Sequence, residues 1–273
     1  MARRNKSVPP NTLDEIRRDL GRLKLYAMLE GLDEALDEAQ NLQQGYASFL
    51  AALIKKQLIA VTEASADRRR RHAHFPETWT FDTFDWTFQP GLNIQLVKDL
   101  QTLDFIRQGR PVLLFGKAGT GKSHISVAYG HLAVLAGYTV RFFDAAKLLG
   151  ELYASLADGS TDRLVARMSR VDLLIIDDLR DVPAKPEYAS LMYDLVNARY
   201  GKKATIVSSN ISVKKWGKAL GNPTLTGSLV DRLMDRAHII NIKRGKSYRT
   251  HGPEAPPEHE HPSGLTPETS DDV

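Results

Sequence analysis

The chain has 273 residues, of which 42% are hydrophobic and 26% charged, a composition that is ordinary for a soluble globular protein. It contains no cysteine, which excludes disulfide scaffolds, thiolate metal sites and cysteine nucleophiles and suits a reducing cytoplasm. Its net charge of +4 is compatible with an anionic partner such as nucleic acid, or simply with a solvated basic face. No apolar run is long enough to span a bilayer, so no membrane partner is expected.

The first region, residues 1–76, is predicted to be a small helical domain that docks on a partner. It ends in "ADRRRRHAHFP", where Pro76 stops any helix. Its apolar residues recur at helical spacing. They are Leu13, Ile16, Leu20, Leu23, Leu25, Leu29, Phe49, Leu50, Leu53, Ile54, Leu58 and Val61.

The second region, residues 77–250, alternates strand-like and helix-like segments. The predicted strands are "PVLLF", "YTVRFF", "VDLLIID", "ATIVSSN" and "HIINIK". This alternation predicts an α/β fold with a parallel sheet flanked by helices, whose ligands bind at the carboxyl ends of the strands. The third region, residues 251–273, is rich in proline and glutamate and is predicted to be disordered. Its histidines, His251, His259 and His261, are not expected to form a metal site.

A glycine-rich loop, "GKAGTGKS", follows the strand "PVLLF" and matches the phosphate-binding pattern G-x-x-x-x-G-K-[ST]. In such a loop the backbone N–H groups cradle the phosphates, Lys122 reaches the β- and γ-phosphates, and Ser123 ligates Mg²⁺. A chance Gly-rich turn is the alternative, but the strand before and the helix after favour a nucleotide site. The candidate nucleotide-binding residues are Gly116, Lys117, Ala118, Gly119, Thr120, Gly121, Lys122, Ser123 and His124.

Polar residues at the ends of two further segments complete a candidate hydrolytic site. Asp177 ends an apolar strand and is predicted to hold the magnesium, and Asp178 is placed to polarise the attacking water. Asn210 ends the strand "TIVSSN" and could orient that water, or simply begin the next turn. Arg232 and Arg236 lie four residues apart on one helix face. One of them could act on the nucleotide of a neighbouring subunit, and pairing within the helix is the alternative.

Lysines before and after the strand "ATIVSSN" indicate a surface that could track a DNA backbone without reading its sequence. The tryptophans Trp79, Trp86 and Trp216 are interpreted as packing residues. The candidate DNA-binding lysines are Lys202, Lys203, Lys214, Lys215 and Lys218.

Together these residues resemble the IstB/DnaC group of AAA+ ATPases, and specifically the IstB-like helpers of insertion-sequence transposition. The resemblance runs from about Leu13 to Arg249 and includes "FDTFDW", "GKAGTGKSH", "LLIIDDL", "NARYGKKATIVSSN", "GNPTLTGSLVDRL" and "KRGKSYR". It implies an AAA+ core with a helical N-terminal domain, and ATP with Mg²⁺ as cofactors. It further implies ATP hydrolysis, homo-oligomers as a ring or filament on duplex DNA, and a cognate transposase as partner.

Carried onto this chain, the resemblance assigns Lys122 and Ser123 to Walker A and Asp177 and Asp178 to Walker B. Asn210 would be sensor 1 and Arg232 the arginine finger, with Arg236 as the alternative. A DnaC-like replicative helicase loader is a second interpretation of the same core. A nucleotide-dependent DNA-binding protein with negligible turnover is a third.

Four features depart from the family pattern. Lys117 and Ala118 stand where two prolines are usual, Arg180 where glycine is common, and Asp178 where AAA+ proteins typically have glutamate. Little chain predicted to be ordered follows "HIINIK", so the helical lid of many AAA+ proteins is expected to be missing. Arg249 is a poor substitute for the sensor arginine of that lid.

Overall fold

The computed structural model describes residues 10–180, 185–242 and 245–251. The chain divides into two compact units, Met1–Ala73 and His74–Val273. His259 and His261 lie outside the described residues, and the described part of the chain holds no cluster of metal-binding side chains.

The first unit consists of helices, as its apolar spacing predicts. Its helices are α1 Pro10–Arg22, α2 Tyr26–Glu30, α3 Leu32–Asn41 and α4 Tyr46–Ala73. Leu20, Leu32, Ala35 and Leu53 form its small core. Along α4, Tyr46, Leu50, Ile54 and Leu58 stay exposed. None of the helices in the described residues combines the length and apolar character that a membrane span requires.

The second unit is built on five parallel strands in the order β2-β3-β4-β1-β5. The strands are β1 Val112–Gly116, β2 Val140–Asp144, β3 Leu173–Leu179, β4 Ala204–Ser209 and β5 His238–Ile242. The central strands are almost entirely buried, and apolar over most of their length, because helices cover both faces of a parallel sheet. In this order β4 lies between β1 and β3, which brings the end of β4 between the glycine-rich loop and the two aspartates.

Helices connect these strands and cover the sheet. They are α5 Ile94–Asp99, α6 Asp104–Arg107, α7 Lys122–Leu135, α8 Ala145–Ala154, α9 Thr161–Arg170, α10 Pro186–Arg199, α11 Trp216–Ala219, α12 Pro223–Met234 and α13 Tyr248–His251. The main core packs α8, α10 and α12 against one face of the sheet, around Leu113, Leu149, Leu195 and the indole of Trp216.

Arg199, the last residue of α10, is 1% exposed and joins three elements. Its guanidinium donates to the carbonyl oxygens of Met168 (2.6 Å) and Val171 (3.0 Å), to that of Ala204, and to the Thr205 hydroxyl at 3.0 Å. Burial lowers the pKa of Arg199 to about 9, so the group remains protonated at neutral pH. It therefore satisfies backbone groups at the end of α9 and the start of β4 that would otherwise be buried without partners.

Candidate nucleotide site

The glycine-rich loop lies between β1 and α7, at the carboxyl edge of the sheet. Gly119 and Gly121 have φ angles of +76° and +90°, in the left-handed region that glycine tolerates best. A Cβ on Gly121 would lie 2.8 Å from the Phe84 ring. Thr120 donates its hydroxyl to the Lys117 carbonyl at 2.9 Å, which closes the turn. These constraints explain why the sequence has glycine at both positions.

The Lys122 side chain is held inside this loop. It is 6% exposed, and its ammonium donates to the carbonyl oxygens of Gly116 (2.8 Å) and Lys117 (2.9 Å). A cation is thereby placed beside backbone N–H groups and the N-terminus of α7, the arrangement that binds phosphate in P-loop proteins.

The structure brings Asp177 on β3 together with Ser123 at the start of α7. Asp177 is 8% exposed and accepts a hydrogen bond from the Ser208 hydroxyl, and the Ser123 hydroxyl lies near its carboxylate. Burial raises the pKa of Asp177, and the two hydroxyls together with the nearby Lys122 oppose the rise. A hydroxyl and a carboxylate oxygen at one point are a donor set suited to Mg²⁺, which prefers oxygen ligands.

Asp178 lies at an irregularity in the pairing of β3 with β4. Ile176 pairs with Val207 and Leu179 with Ser209, so β3 holds one residue more than β4 across this interval. Asp178 has a φ of +57°, and its N–H donates to the Ser208 hydroxyl at 2.8 Å. Ser208 therefore bridges the two aspartates. The sequence did not predict this role, because a serine inside a strand is no sign of a contact with a neighbouring strand.

The Asp178 carboxylate has a partner in Arg180. The Arg180 Nε lies 3.3 Å from the Asp178 Oδ2, and both side chains are partly exposed. Arg180, which stands where glycine is common in the family, therefore contacts the carboxylate that is predicted to polarise water.

Asn210 follows β4 and is exposed. It borders a cavity of about 450 Å³ together with Gly116 and Lys117 of the loop. The structure therefore places Asn210 beside the phosphate-binding loop.

Arg232 in α12 and Arg236, which follows the end of that helix, lie at the opposite edge of the sheet. The prediction that the two share one helix face is wrong, because α12 ends at Met234 and Arg236 has a φ of +54°. His238, the first residue of β5, pairs with Val112 at the start of β1, whereas the loop follows the end of β1. A five-residue strand separates the two edges by roughly 16 Å. Arg232 donates to the Asn197 side chain (3.0 Å) and the Ser228 carbonyl (3.1 Å).

Arg232 and Arg236 also differ in how firmly they are held. The Arg232 guanidinium lies 4.6 Å from the centre of the Tyr193 ring, which adds a cation–π contact to its hydrogen bonds. Arg236 is exposed, has a φ of +54° at the turn into β5, and forms no hydrogen bond or ion pair with the described residues. Arg236 is therefore the arginine that is presented outward.

An aromatic cavity of about 320 Å³ adjoins the loop on its other side. Trp79, Phe84, Phe88 and Tyr248 line it together with loop residues from Gly119 to His124. The rings of Trp79 and His124 stack at a centroid distance of 5.5 Å. The interpretation of Trp216 as a packing residue is confirmed, because it is 1% exposed, whereas Trp79 borders this cavity.

Comparison with known proteins decides the family. A family model described as "IstB-like ATP binding protein" matches residues 18–254. The insertion sequence IS21 ATP-binding protein of Pseudomonas aeruginosa is 32% identical, over 84% of this chain and 86% of its own length. An insertion-sequence ATP-binding protein of Mycobacterium tuberculosis is 33% identical, over 86% and 93% respectively.

The chain belongs to the IstB-like ATP-binding family. The predicted resemblance is thereby confirmed. Among solved structures, DnaI has a TM-score of 0.52 at 18% identity, with 60% of this chain and 91% of that chain covered. AMPPCP-bound DnaA from Aquifex aeolicus has a TM-score of 0.52 at 21% identity, with 64% and 53% covered. These two likenesses support the predicted AAA+ fold.

The five lysines predicted to bind DNA do not form one cluster in this IstB-like protein. Lys202 and Lys203 precede β4 and lie at the edge of the sheet that carries Arg236. Lys203 is paired with Asp172 at 2.6 Å. The remaining three follow β4 at the edge that carries the phosphate-binding loop, where all are exposed; they are Lys214, Lys215 and Lys218.

Proposed function

We propose that this IstB-like protein is an ATPase that helps DNA transposition by assembling on duplex DNA and stimulating its transposase. The observation that carries the proposal is the meeting of Ser123 and Asp177 beside Lys122, because this trio combines a phosphate contact with a magnesium site. The names of the insertion-sequence relatives support the transposition context.

Each residue of the site has a distinct role in this proposal. The loop residues Gly116–His124 hold the triphosphate, with Lys122 neutralising the β- and γ-phosphates. Ser123 and Asp177 would hold Mg²⁺, which supplies charge neutralisation on the phosphate oxygens. Asp178 polarises the attacking water, and Asn210 orients it.

The arginine that completes the site comes from a neighbouring subunit. Since Arg232 and Arg236 lie at the far edge of the sheet from their own loop, neither serves its own nucleotide. We assign the role of arginine finger to Arg236. Arg232 already forms hydrogen bonds and a cation–π contact within its own subunit, with Asn197, Ser228 and Tyr193. Contacts of this kind, repeated head to tail, generate a ring or a filament.

The lysines that follow β4 are the best placed of the five for DNA. Lys214, Lys215 and Lys218 are exposed and share the edge of the sheet that carries Asn210. Contacts from lysines to backbone phosphates give sequence-tolerant, salt-dependent binding. DNA bound there would lie close to the nucleotide site.

The proposal is tested by electron microscopy of the full chain with duplex DNA and either ATP or a non-hydrolysable analogue, with phosphate release measured in parallel. We expect discrete assemblies that require nucleotide and are absent with Lys122→Ala, because that variant loses its phosphate contact. Monomers under every condition would contradict the proposal. Assemblies without phosphate release would instead indicate a structural DNA-binding protein.

Replacing Arg180 tests whether its ion pair restrains Asp178. Arg180→Gly is expected to raise ATP turnover by at most about fivefold, since ion pairs this exposed are weak. The reason is that the Asp178 carboxylate becomes free to accept a hydrogen bond from water. Steady-state phosphate release is the measurement, and Arg180→Lys, which retains a cation, is the control. A fall in turnover in Arg180→Gly would show that Arg180 supports catalysis.

A further inference from the structure

A cationic cavity of about 230 Å³ opens at the edge of the sheet where the strands begin. Among the described residues its lining has one carboxylate, that of Asp235, which accepts a hydrogen bond from the Tyr200 hydroxyl at 2.6 Å. Five basic side chains also line it, and only one of them, Lys203, forms an ion pair with a described residue. The cavity therefore has an excess of positive charge and suits an anion. The basic residues are Arg110, Arg199, Lys203, Arg232 and Arg236.

Arg110 and Arg236 hold matching positions at this edge. Val112 pairs with His238 in the first step of the β1/β5 ladder, so each arginine stands two residues before the paired strands. Arg110 is partly buried, and its guanidinium, like that of Arg236, forms no hydrogen bond or ion pair with the described residues. Burial and the nearby charge of Arg110 lower the pKa of His238. Two guanidinium groups without a counter-charge of their own therefore line one cavity.

Gly109 brings Arg110 against the turn between α10 and β4. Its φ is +61°, and a Cβ at this position would lie 3.0 to 3.1 Å from backbone atoms of Gly201 and Lys202. A larger residue would push the two segments apart. The Arg199 guanidinium, which is held by backbone carbonyls, belongs to the same lining. The positive charge of the cavity therefore does not depend on mobile surface side chains alone.

The size of the cavity limits what it can hold. Pockets that enclose a whole small-molecule ligand have volumes of roughly 300–1,000 Å³, so a cavity of about 230 Å³ suits a small anion or the end of a longer one. The planar fork of N–H groups on an arginine matches the oxygens of a phosphate. The lining therefore favours a terminal phosphate group.

We propose that this cavity receives the terminal phosphate of a neighbouring subunit's ATP, and that Arg110 acts on that phosphate beside Arg236. The cavity lies at the opposite edge of the sheet from the loop of its own subunit, so its own nucleotide does not supply the phosphate. The inference rests on the proposed function, because it requires a nucleotide that is completed by the next subunit.

The two arginines neutralise charge and exchange no atoms in this step. The water oxygen bonds to the γ-phosphorus, and a proton of the water passes to Asp178 of the subunit that holds the nucleotide. The bond from the γ-phosphorus to the bridging oxygen breaks, and that oxygen leaves with ADP. Arg110 stabilises the charge on the γ-phosphate oxygens while this exchange takes place.

The first test measures ATP turnover of the full chain with duplex DNA, and ATP affinity without DNA. Arg110→Gln is expected to lower kcat about 10- to 100-fold, the range for loss of one hydrogen bond to a charged group. Its ATP affinity is expected to stay at the wild-type value, because Arg110 is far from the nucleotide of its own subunit. Arg110→Lys retains the charge and is expected to keep turnover within about fivefold of the wild type.

The matched control is Arg107→Gln, the same substitution at a nearby arginine that pairs with Asp104 and lies outside the cavity. It is expected to keep wild-type turnover. A loss of turnover in Arg107→Gln equal to that in Arg110→Gln would overturn the inference, because the effect would then not belong to the cavity.

An equal mixture of Arg110→Gln and Asp178→Asn decides whether Arg110 acts on a neighbour. Each variant alone is expected to be slow, but about a quarter of the interfaces in the mixture pair the intact site of one variant with the intact cavity of the other. Phosphate release is therefore expected to rise well above the mean of the two variants measured separately. Release that stays at that mean would show that Arg110 acts within its own subunit, on a free phosphate or on the fold, and would overturn the inference.

Wild-type turnover in Arg110→Gln would also overturn the inference, and the proposed function would stand if Arg236→Ala remained slow. If the wild-type chain releases no phosphate from ATP, the proposed function itself fails and the inference falls with it. Should Arg110→Gln not fold, Gln108→Glu takes its place, because Gln108 is exposed and borders the cavity. A carboxylate there is expected to pair with the arginines and lower turnover about tenfold. Unchanged turnover in Gln108→Glu would contradict the role of the cavity.

Discussion

An Arg236→Ala variant is expected to bind ATP like the wild-type protein but to hydrolyse it about a thousandfold more slowly. Arg236 lies at the edge of the sheet opposite its own phosphate-binding loop and is exposed at the turn into β5. In the proposed assembly its guanidinium stabilises charge on the phosphates of the neighbouring subunit. ATP affinity and steady-state phosphate release, both with duplex DNA present, are the measurements.

Two further variants make this experiment decisive. Arg232→Ala is the matched control and is expected to change turnover far less, because Arg232 contacts α10 of its own subunit.

Asp178→Asn has an intact arginine finger but lacks the proposed general base. In an equal mixture of Asp178→Asn and Arg236→Ala, about a quarter of the interfaces combine an intact site with an intact finger, so phosphate release is expected to recover. Loss of turnover in Arg232→Ala alone would assign the finger to Arg232.

Replacing Arg199 by methionine is expected to lower the free energy of unfolding of the second unit by about 3–5 kcal/mol. The side chain is of comparable length, but three carbonyls and the Thr205 hydroxyl lose their donor inside the core. Denaturant unfolding monitored by circular dichroism measures the change. Arg107→Met is the matched control, because Arg107 forms an exposed pair with Asp104 that contributes about 1 kcal/mol or less. A loss below about 1 kcal/mol in Arg199→Met would show that water or a rearranged backbone replaces the guanidinium.

The sheet could be predicted from the sequence because its strands are buried on both faces. "VDLLIID" has no alternation of polar and apolar residues, which is typical of a central parallel strand, and it forms β3. The order of the strands could not be predicted in this way, because an apolar run in the sequence does not indicate which other strand lies beside it in the sheet. The insertion of β4 between β1 and β3 is what gives Ser208 its contact with both aspartates.

Part of the nucleotide site could likewise be predicted from the sequence, and part could not. Spacing along the chain predicted the loop and the two aspartates, because each lies within one strand-to-helix connection. The aromatic cavity joins Trp79 and Phe88 to Tyr248, which are far apart in sequence and form no local pattern. Arg199 was not singled out either, because an arginine at the end of a helix is ordinarily solvated.

Because Arg236 is far from the phosphate-binding loop of its own subunit, the terminal subunits of an open assembly would differ from the internal ones. In an open head-to-tail stack, each nucleotide is completed by the next subunit along, so a stack of n subunits contains one complete site fewer than it has nucleotides. The terminal ATP at one end would therefore outlast all the others, and hydrolysis would be polar along the DNA. A closed ring has no such end, and in it every subunit would be equivalent.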